Sequence, residues 1–244
     1  NPLESYTQDL LTLIDQLSTV HPDLADTIQT EAKAIELDFL RQDLPMILAS
    51  MKMGTERIRQ IVLSLRNFSR LDEAAIKKVD LHEGLESTLL ILQNRLRATS
   101  HRDAITVFRD YGQLSTVECY AGQVNQVFMN ILANSLDALD EAVQDAEWQA
   151  KGDRPQLTIR TSVAADQTVI VSISDNGLGI PEAVRQRIFE PFFTTKDVGK
   201  GTGMGLSICH QIITETHGGT LTCHSQPNQG TEFLIQIPMQ LTKA

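Results

Sequence analysis

The chain has 244 residues, 41% hydrophobic and 21% charged, and a formal net charge of −10. This is ordinary globular material, long enough to bury a core, and it excludes a disordered polyelectrolyte or a membrane-spanning chain. The acidic excess also argues against nucleic acid as the main partner, because a surface that tracks phosphates carries a basic excess.

In chain order, the first third reads as helix. Leu3, Tyr6, Leu10, Leu13 and Leu17 step by three and four, and Leu44, Ile47, Met51, Gly54, Ile58, Ile61, Leu65 and Phe68 repeat the spacing as a coiled-coil-like seam. Pro45 suits the first turn of this second helix, with Asp43 as its cap. Two antiparallel helices cannot bury such stripes alone, which favours pairing of two copies into a four-helix bundle. Residues 24–40 also carry helical spacing at Ile28, Ala32, Ile35 and Phe39, so an intramolecular bundle stays open.

Beyond "LDEAAIKK" the pattern turns mixed: helix over 82–97, strand at "AITVFRD", a long helix over 120–148, then strands at "QLTIRTSV" and "TVIVSISD". Helix resumes near 181 and over 205–217, and "GTLTCHS" and "TEFLIQIP" close the chain as strands. The alternation lacks a strict βαβ rhythm, so the expected fold class is α+β: a helical hairpin over residues 1–74, then an α/β sandwich over 75–244 with helices on one face of a mixed sheet. Cys119, Cys209 and Cys223 are widely spaced and odd in number, which fits a reducing, cytoplasmic setting. No apolar run has the length of a membrane span and no signal peptide is evident, so no membrane contact is expected of this chain. The parent protein is compatible with either a soluble or a membrane-anchored form.

Three stretches carry chemistry. On the long helix, Gln126, Asn130, Asn134 and Asp137 fall within about 80° of one another at 3.6 residues per turn. Such a stripe fits a solvated face, but its asparagines are poor mid-helix residues, and carboxamide oxygens suit a hard cation such as Mg²⁺. In "SDNGLGIP", Asp175 ends a strand and Gly177 and Gly179 let a flat ligand approach the backbone. A carboxylate there can accept from the exocyclic amino group of adenine; a plain Asp-Asn-Gly turn is the alternative. "GKGTGMGLSI", residues 199–208, looks like a phosphate loop yet fits neither the P-loop nor the dinucleotide fingerprint.

Taken in order, Asn130-xxx-Asn134-xx-Asp137-Ala138, Asp175-Asn-Gly-Leu-Gly179-Ile, "FEPFFTTK" at 189–196, "GKGTGMGLSI" and Gly230-Thr231-x-Phe233 resemble the ATP-binding domain of sensor histidine kinases. That domain belongs to the GHKL superfamily, with the Bergerat fold, shared with gyrase-type, mismatch-repair and chaperone ATPases and bacterial serine kinases. The resemblance covers roughly residues 79–239, and the helices before it resemble the family's dimerisation and phosphotransfer hairpin. It implies Mg²⁺ contacts at Asn130 and Asn134 and an adenine contact at Asp175. It further implies backbone approach at Gly177 and Gly179 and a mobile lid over the triphosphate including Lys200, Gly201, Gly203, Gly205 and Leu206. Thr231 would support the adenine side, and Lys196 joins Lys200 as a candidate phosphate contact. ATP-hydrolysing branches place a glutamate four residues before the metal-binding asparagine, where this chain has Asn130. An amide cannot take a proton from water, which favours phosphoryl transfer. Asp137 departs from the basic or polar residue found there in many relatives.

The resemblance therefore implies a homodimeric protein histidine kinase core that uses Mg-ATP and passes phosphate from a histidine to the aspartate of a response-regulator receiver domain. A GHKL-type hydrolase, a serine kinase and a non-catalytic nucleotide-binding scaffold are the alternatives. The acceptor signature, His-Glu/Asp followed shortly by Asn-Pro, is not found. His82-Glu83 is followed by Gly84 and is expected to be structural, as are the other histidines of the C-terminal region. Asn1-Pro2-Leu3 matches the tail of that signature, and the acceptor is expected upstream of this chain, with the hairpin truncated at its N-terminus.

Overall fold

The computed structural model describes residues 25–68, 75–196 and 203–241, together with Leu10, Thr12, Leu13 and Gln16. The chain divides into two compact units, Asn1–Val62 and Leu63–Ala244.

The described residues of the first unit are helical. Helix α1 spans Ala25–Ala34 and α2 spans Leu37–Phe68, running past the unit boundary. Here the sequence expectation is corrected: Pro45 lies inside α2 and Asp43 is a helical residue, not a cap. The break comes earlier, at Glu36, whose φ of 51° is left-handed and whose N–H reaches the Lys33 carbonyl at 3.1 Å. That geometry ends α1, and the apolar spacing of the next residues carries the new helix through the proline despite one lost backbone hydrogen bond. Phe39, Leu40, Leu44, Met46, Ile47 and Met51 are exposed on the single chain.

The second unit holds a five-stranded mixed sheet. Strand β1 is Lys77–Val79, followed by α3 (Leu81–Ile91), α4 (Gln93–Leu96), β2 (Thr106–Tyr111), β3 (Val117–Cys119), α5 (Ala121–Ala142) and α6 (Ala146–Ala150). Then come β4 (Gln156–Val163), β5 (Thr168–Asp175), α7 (Glu182–Arg185), α8 (Gly205–Gln211), a π-helical turn (Ile212–Thr216), β6 (Thr220–Ser225) and β7 (Thr231–Pro238). The strand order is β2-β4-β5-β7-β6. Only β2 and β4 are parallel. A parallel pair needs a crossover connection, and α5 provides it, which lays this helix across the sheet.

Alternation explains the layers. Val169, Val171 and Ile173 of β5, Leu157 and Ile159 of β4 and Phe233, Ile235 and Ile237 of β7 are buried on one face. Against them pack Val127, Phe128, Ile131, Leu132, Leu136 and Leu139 of α5. Each such side chain contributes about 1.5–3 kcal/mol on burial. The opposite sheet face carries Arg160, Ser172, Ser174, Glu232 and His224, in keeping with a period of two.

Two features were not foreseen. β1 and β3 form a separate antiparallel pair, each too short to show an alternation. The helix expected over 205–217 turns from α to π at Ile212, where the His217 N–H reaches the Ile212 carbonyl at 3.2 Å. His217 Nδ1 also bonds that carbonyl at 2.8 Å, while Tyr120 N–H donates to Nε2 at 3.1 Å. The imidazole is thereby a buried brace; His82, partly exposed, is a second brace that stacks on Tyr111 and bonds Thr161 Oγ1 at 2.8 Å. Cys119, Cys209 and Cys223 are buried free thiols. Among the described residues no helix is long and apolar enough to cross a membrane.

Candidate functional site

Helix α5 organises the site. Its core face fixes its rotation, leaving Gln126, Asn130, Asn134 and Asp137 half-buried along one edge instead of fully solvated. Asn130 Nδ2 donates to the Gly205 carbonyl at 3.3 Å and lies 3.5 Å from Cys209 Sγ, both on α8. The amide nitrogen is therefore held by α8, leaving Oδ1 as the acceptor of that side chain. One turn on, Asn134 Oδ1 accepts from Lys196 Nζ at 3.4 Å. Asp137 forms a short ion pair with the same lysine and a second pair with Arg95 Nη2 at 2.6 Å.

The other wall is the end of β5. Asp175 is 7% exposed, opposite Thr231 in the sheet register. Burial pushes its carboxyl up to about 6, partly offset by the Gly177 N–H, by Ser135 and by the Thr231 backbone, which favour the charged form. Gly177 N–H donates to Asp175 Oδ1 at 3.0 Å. The Ser135 hydroxyl stands near the carboxylate, on a residue only 1% exposed. Both groups face the end of the sheet where α5 and the Asp-x-Gly segment meet, since Gly177 lies against the Ala138 carbonyl of the same helix.

Glycine is required at Gly179 and at Gly203. Gly179 has φ 71°, and a Cβ would come within 2.0 Å of the Gln226 carbonyl oxygen. Gly203, at φ 66°, lies against the Phe192 backbone at 2.4 Å from any added Cβ. Gly205 opens α8, and Leu206 packs on the core from its first turn. Thr231 is buried, its Oγ1 3.0 Å from Ser225 Oγ. Lys200 and Gly201 lie outside the described residues.

The fold thus brings Asn130, Asn134, Lys196 and Gly205 together along α5, and Asp175, Gly177 and Thr231 together at the end of β5. Among the described residues no cluster of three or more His, Cys, Asp or Glu could hold a metal. A divalent cation in this cleft would therefore rest on amide oxygens and on oxygens of a ligand, the donor set that suits Mg²⁺. A cavity of about 560 Å³ reaches Asp175 and Thr231 from the sheet's solvent face, lined by Arg160, Glu182, Arg185 and His224. Its arginines are already paired, Arg185 with Glu182 at 2.6 Å and Arg160 with Asp110 at 3.5 Å, so the cavity offers no unpaired cation to an anionic ligand. Sequence reasoning missed three neighbours of the site. Ser135 reads as one more core position, while Arg95 and Cys209 reach the stripe from distant elements and leave no local signal.

Comparison with known proteins bears on this arrangement. A family described as "Histidine kinase-, DNA gyrase B-, and HSP90-like ATPase" matches residues 120–241. The chain is 35% identical over 193 residues to sensor kinase CckA of Brucella abortus, covering 78% of this chain and 20% of that protein. It is 30% identical over 184 residues to the signal transduction histidine-protein kinase AtoS of Escherichia coli, covering 75% of this chain and 27% of that protein. It therefore spans about a fifth to a quarter of the length of these relatives. Among solved structures, the catalytic domain of histidine kinase ThkA superposes with a TM-score of 0.55 at 27% identity, covering 68% of this chain and 97% of that one.

Proposed function

This chain belongs to the histidine kinase-, DNA gyrase B- and HSP90-like ATPase family, and on that premise we propose that residues 75–244 bind Mg-ATP as the catalytic domain of a protein histidine kinase. The observation that carries this reading is the pairing of two neutral asparagines on α5 with the buried Asp175 at the end of β5.

In this reading Asp175 accepts a hydrogen bond from the adenine amino group, helped by Thr231, while Gly177 and Gly179 let the base lie against the backbone. Guanine carries an oxygen at the same place and is repelled. Asn130 and Asn134 would hold Mg²⁺ through Oδ1; when bound, the cation neutralises charge on the phosphate oxygens. Lys196, Lys200 and the segment Gly201–Leu206 serve the phosphates. Asn130 has no basic atom with which to deprotonate water, so the γ-phosphoryl group is kept for an imidazole nitrogen. A nitrogen–phosphorus bond forms as the β,γ-bridging P–O bond breaks, ADP departs, and the phosphohistidine passes its group to an aspartate of a receiver domain.

We place the acceptor on a histidine outside this chain. His82, His210 and His217 contact Tyr111, Phe189 and Tyr120 within the second unit, and none carries the family signature. Residues 1–74 are proposed to join two copies through the exposed seam that includes Leu44, Ile47 and Met51. The test is to incubate the chain, extended through its native upstream residues, with γ-labelled ATP. Label that is lost in acid and kept in base is the expected result. Acid-stable label, or phosphate released with no labelled protein, would overturn the histidine-kinase reading.

A further inference from the structure

The nucleotide reading gives Asp137 no part, yet this carboxylate is held between two cations. Lys196 Nζ donates to its Oδ2 and also reaches Asn134 Oδ1 at 3.4 Å. On the other side Asp137 Oδ1 accepts from Arg95 Nη2 at 2.6 Å. Arg95 is itself anchored: the same nitrogen reaches Asp140 Oδ2 at 3.0 Å, and the Arg95 carbonyl accepts from Arg102 Nη2 at 2.6 Å. Arg102 Nε lies 2.7 Å from Asp140 Oδ1 as an ion pair whose N–H is not aimed at the carboxylate.

The two cations differ in how they are held. Arg95 sits on a helix within a buttressed network, whereas Lys196 comes from a segment without regular structure, its backbone N–H held by Thr194 Oγ1 at 3.2 Å and its ammonium group reaching Asp137 from a flexible side chain. Arg95, Asp137 and Lys196 are each about one-third exposed, at 34%, 32% and 31%. Water reaches the Lys196–Asp137 pair, so its net strength is modest and it can exchange partners.

We infer that Asp137 is a positioning residue that holds Lys196 beside Asn134 in the nucleotide-free protein, to be surrendered to the phosphates of an entering nucleotide. The inference rests on the reading of this cleft as the nucleotide site and goes beyond it by assigning the departure at Asp137. The ammonium group also occupies the oxygen of Asn134 that a divalent cation would use. Transfer of Lys196 to phosphate thus frees Asn134, and Arg95 stays behind to balance Asp137. Phosphate arrival and metal entry become coupled by one lysine.

The test is a double-mutant cycle read by calorimetric ADP binding with EDTA present, using the whole chain. Asp137→Asn frees Lys196 and is expected to tighten ADP by about three- to fivefold. Lys196→Gln is expected to weaken it by a similar factor. In the Lys196→Gln background, Asp137→Asn is expected to change little. An undiminished gain in that background, or weaker binding by Asp137→Asn alone, overturns the positioning role while leaving the nucleotide site standing. No ADP binding by the unaltered chain removes the nucleotide reading and this inference with it. A second measurement needs no nucleotide: electron paramagnetic resonance of Mn²⁺ alone should show tighter binding to Lys196→Gln than to the unaltered chain, and equal or weaker binding would overturn the competition. Unchanged circular dichroism of all variants is expected, since none of these side chains lies in the apolar core.

Discussion

The side-chain amide of Asn130 donates to the backbone carbonyl of Gly205 at 3.3 Å, joining the long helix to the first residue of α8. A carboxylate cannot donate, so Asn130→Asp would turn attraction into repulsion at the start of α8 and against Cys209. We expect a loss of about 1–3 kcal/mol in stability, the cost of leaving a half-buried acceptor facing a charge. Chemical denaturation of the two proteins measures it. Nucleotide binding should weaken as well, because Gly205 and Leu206 lose their support.

Asp175 should make stability depend on pH in a defined direction. Burial raises its carboxyl from the ordinary 3.8 to about 6, so the folded chain holds a proton that the unfolded chain has released between these values. This contribution to stability is present below about pH 4, falls as pH rises to 6 and stays lost above. Asp175→Asn should therefore be more stable at pH 8 by an amount on the order of 3 kcal/mol, and equal to the parent near pH 4. Its ADP affinity should collapse, because the amide presents a donor where the adenine amino group needs an acceptor. In the parent chain, ADP affinity should fall as pH drops through 6, read by calorimetric titration.

His217 acts in the opposite sense. Burial lowers its imidazole from the ordinary 6.5, and with Tyr120 N–H donating to Nε2, the ring proton must sit on Nδ1 facing the Ile212 carbonyl. Its contribution is full above about pH 6.5 and lost as pH falls below that value. His217→Gln should lower the midpoint of thermal unfolding at pH 7.5. It should also flatten the part of the acid-side decline that the parent shows below pH 6.5. A parallel curve for both proteins would show that this ring does not titrate on unfolding.

Dimerisation can be separated from nucleotide binding. Ile47 and Met51 sit on the apolar seam of α2 and are 45% and 61% exposed. Ile47→Lys together with Met51→Lys should convert a dimer to a monomer by light scattering, since burying two unpaired charges costs several kcal/mol. ADP binding by the second unit should persist. A parent chain that is already monomeric at tens of micromolar would remove the dimer proposal.

Much of the molecule was legible in its residue pattern. The strands β4, β5, β6 and β7 announce themselves by alternation, because one face of the sheet is buried under α5 and the other is wet. Asn130, Asn134 and Asp175 were singled out as well, the first two by their spacing on one helix stripe and the third by its place at a strand end before two glycines, because such patterns act within a few residues. Pro45 was misread because a proline at a helix start and one tolerated in an interior have the same sequence, and only Glu36 in its left-handed conformation marks the true break.

Tertiary structure decided the rest. That Asp137 is shared by Lys196 and Arg95, that Ser135 lies beside Asp175, and that Tyr120 meets His217 are facts about groups tens of residues apart. Sequence determined which chemical groups the chain carries and on what kind of element each one stands, because helix and strand periods are local. It could not determine which distant groups meet, because charge and hydrogen-bond pairing depend on where packing of α5 against the sheet finally brings their ends.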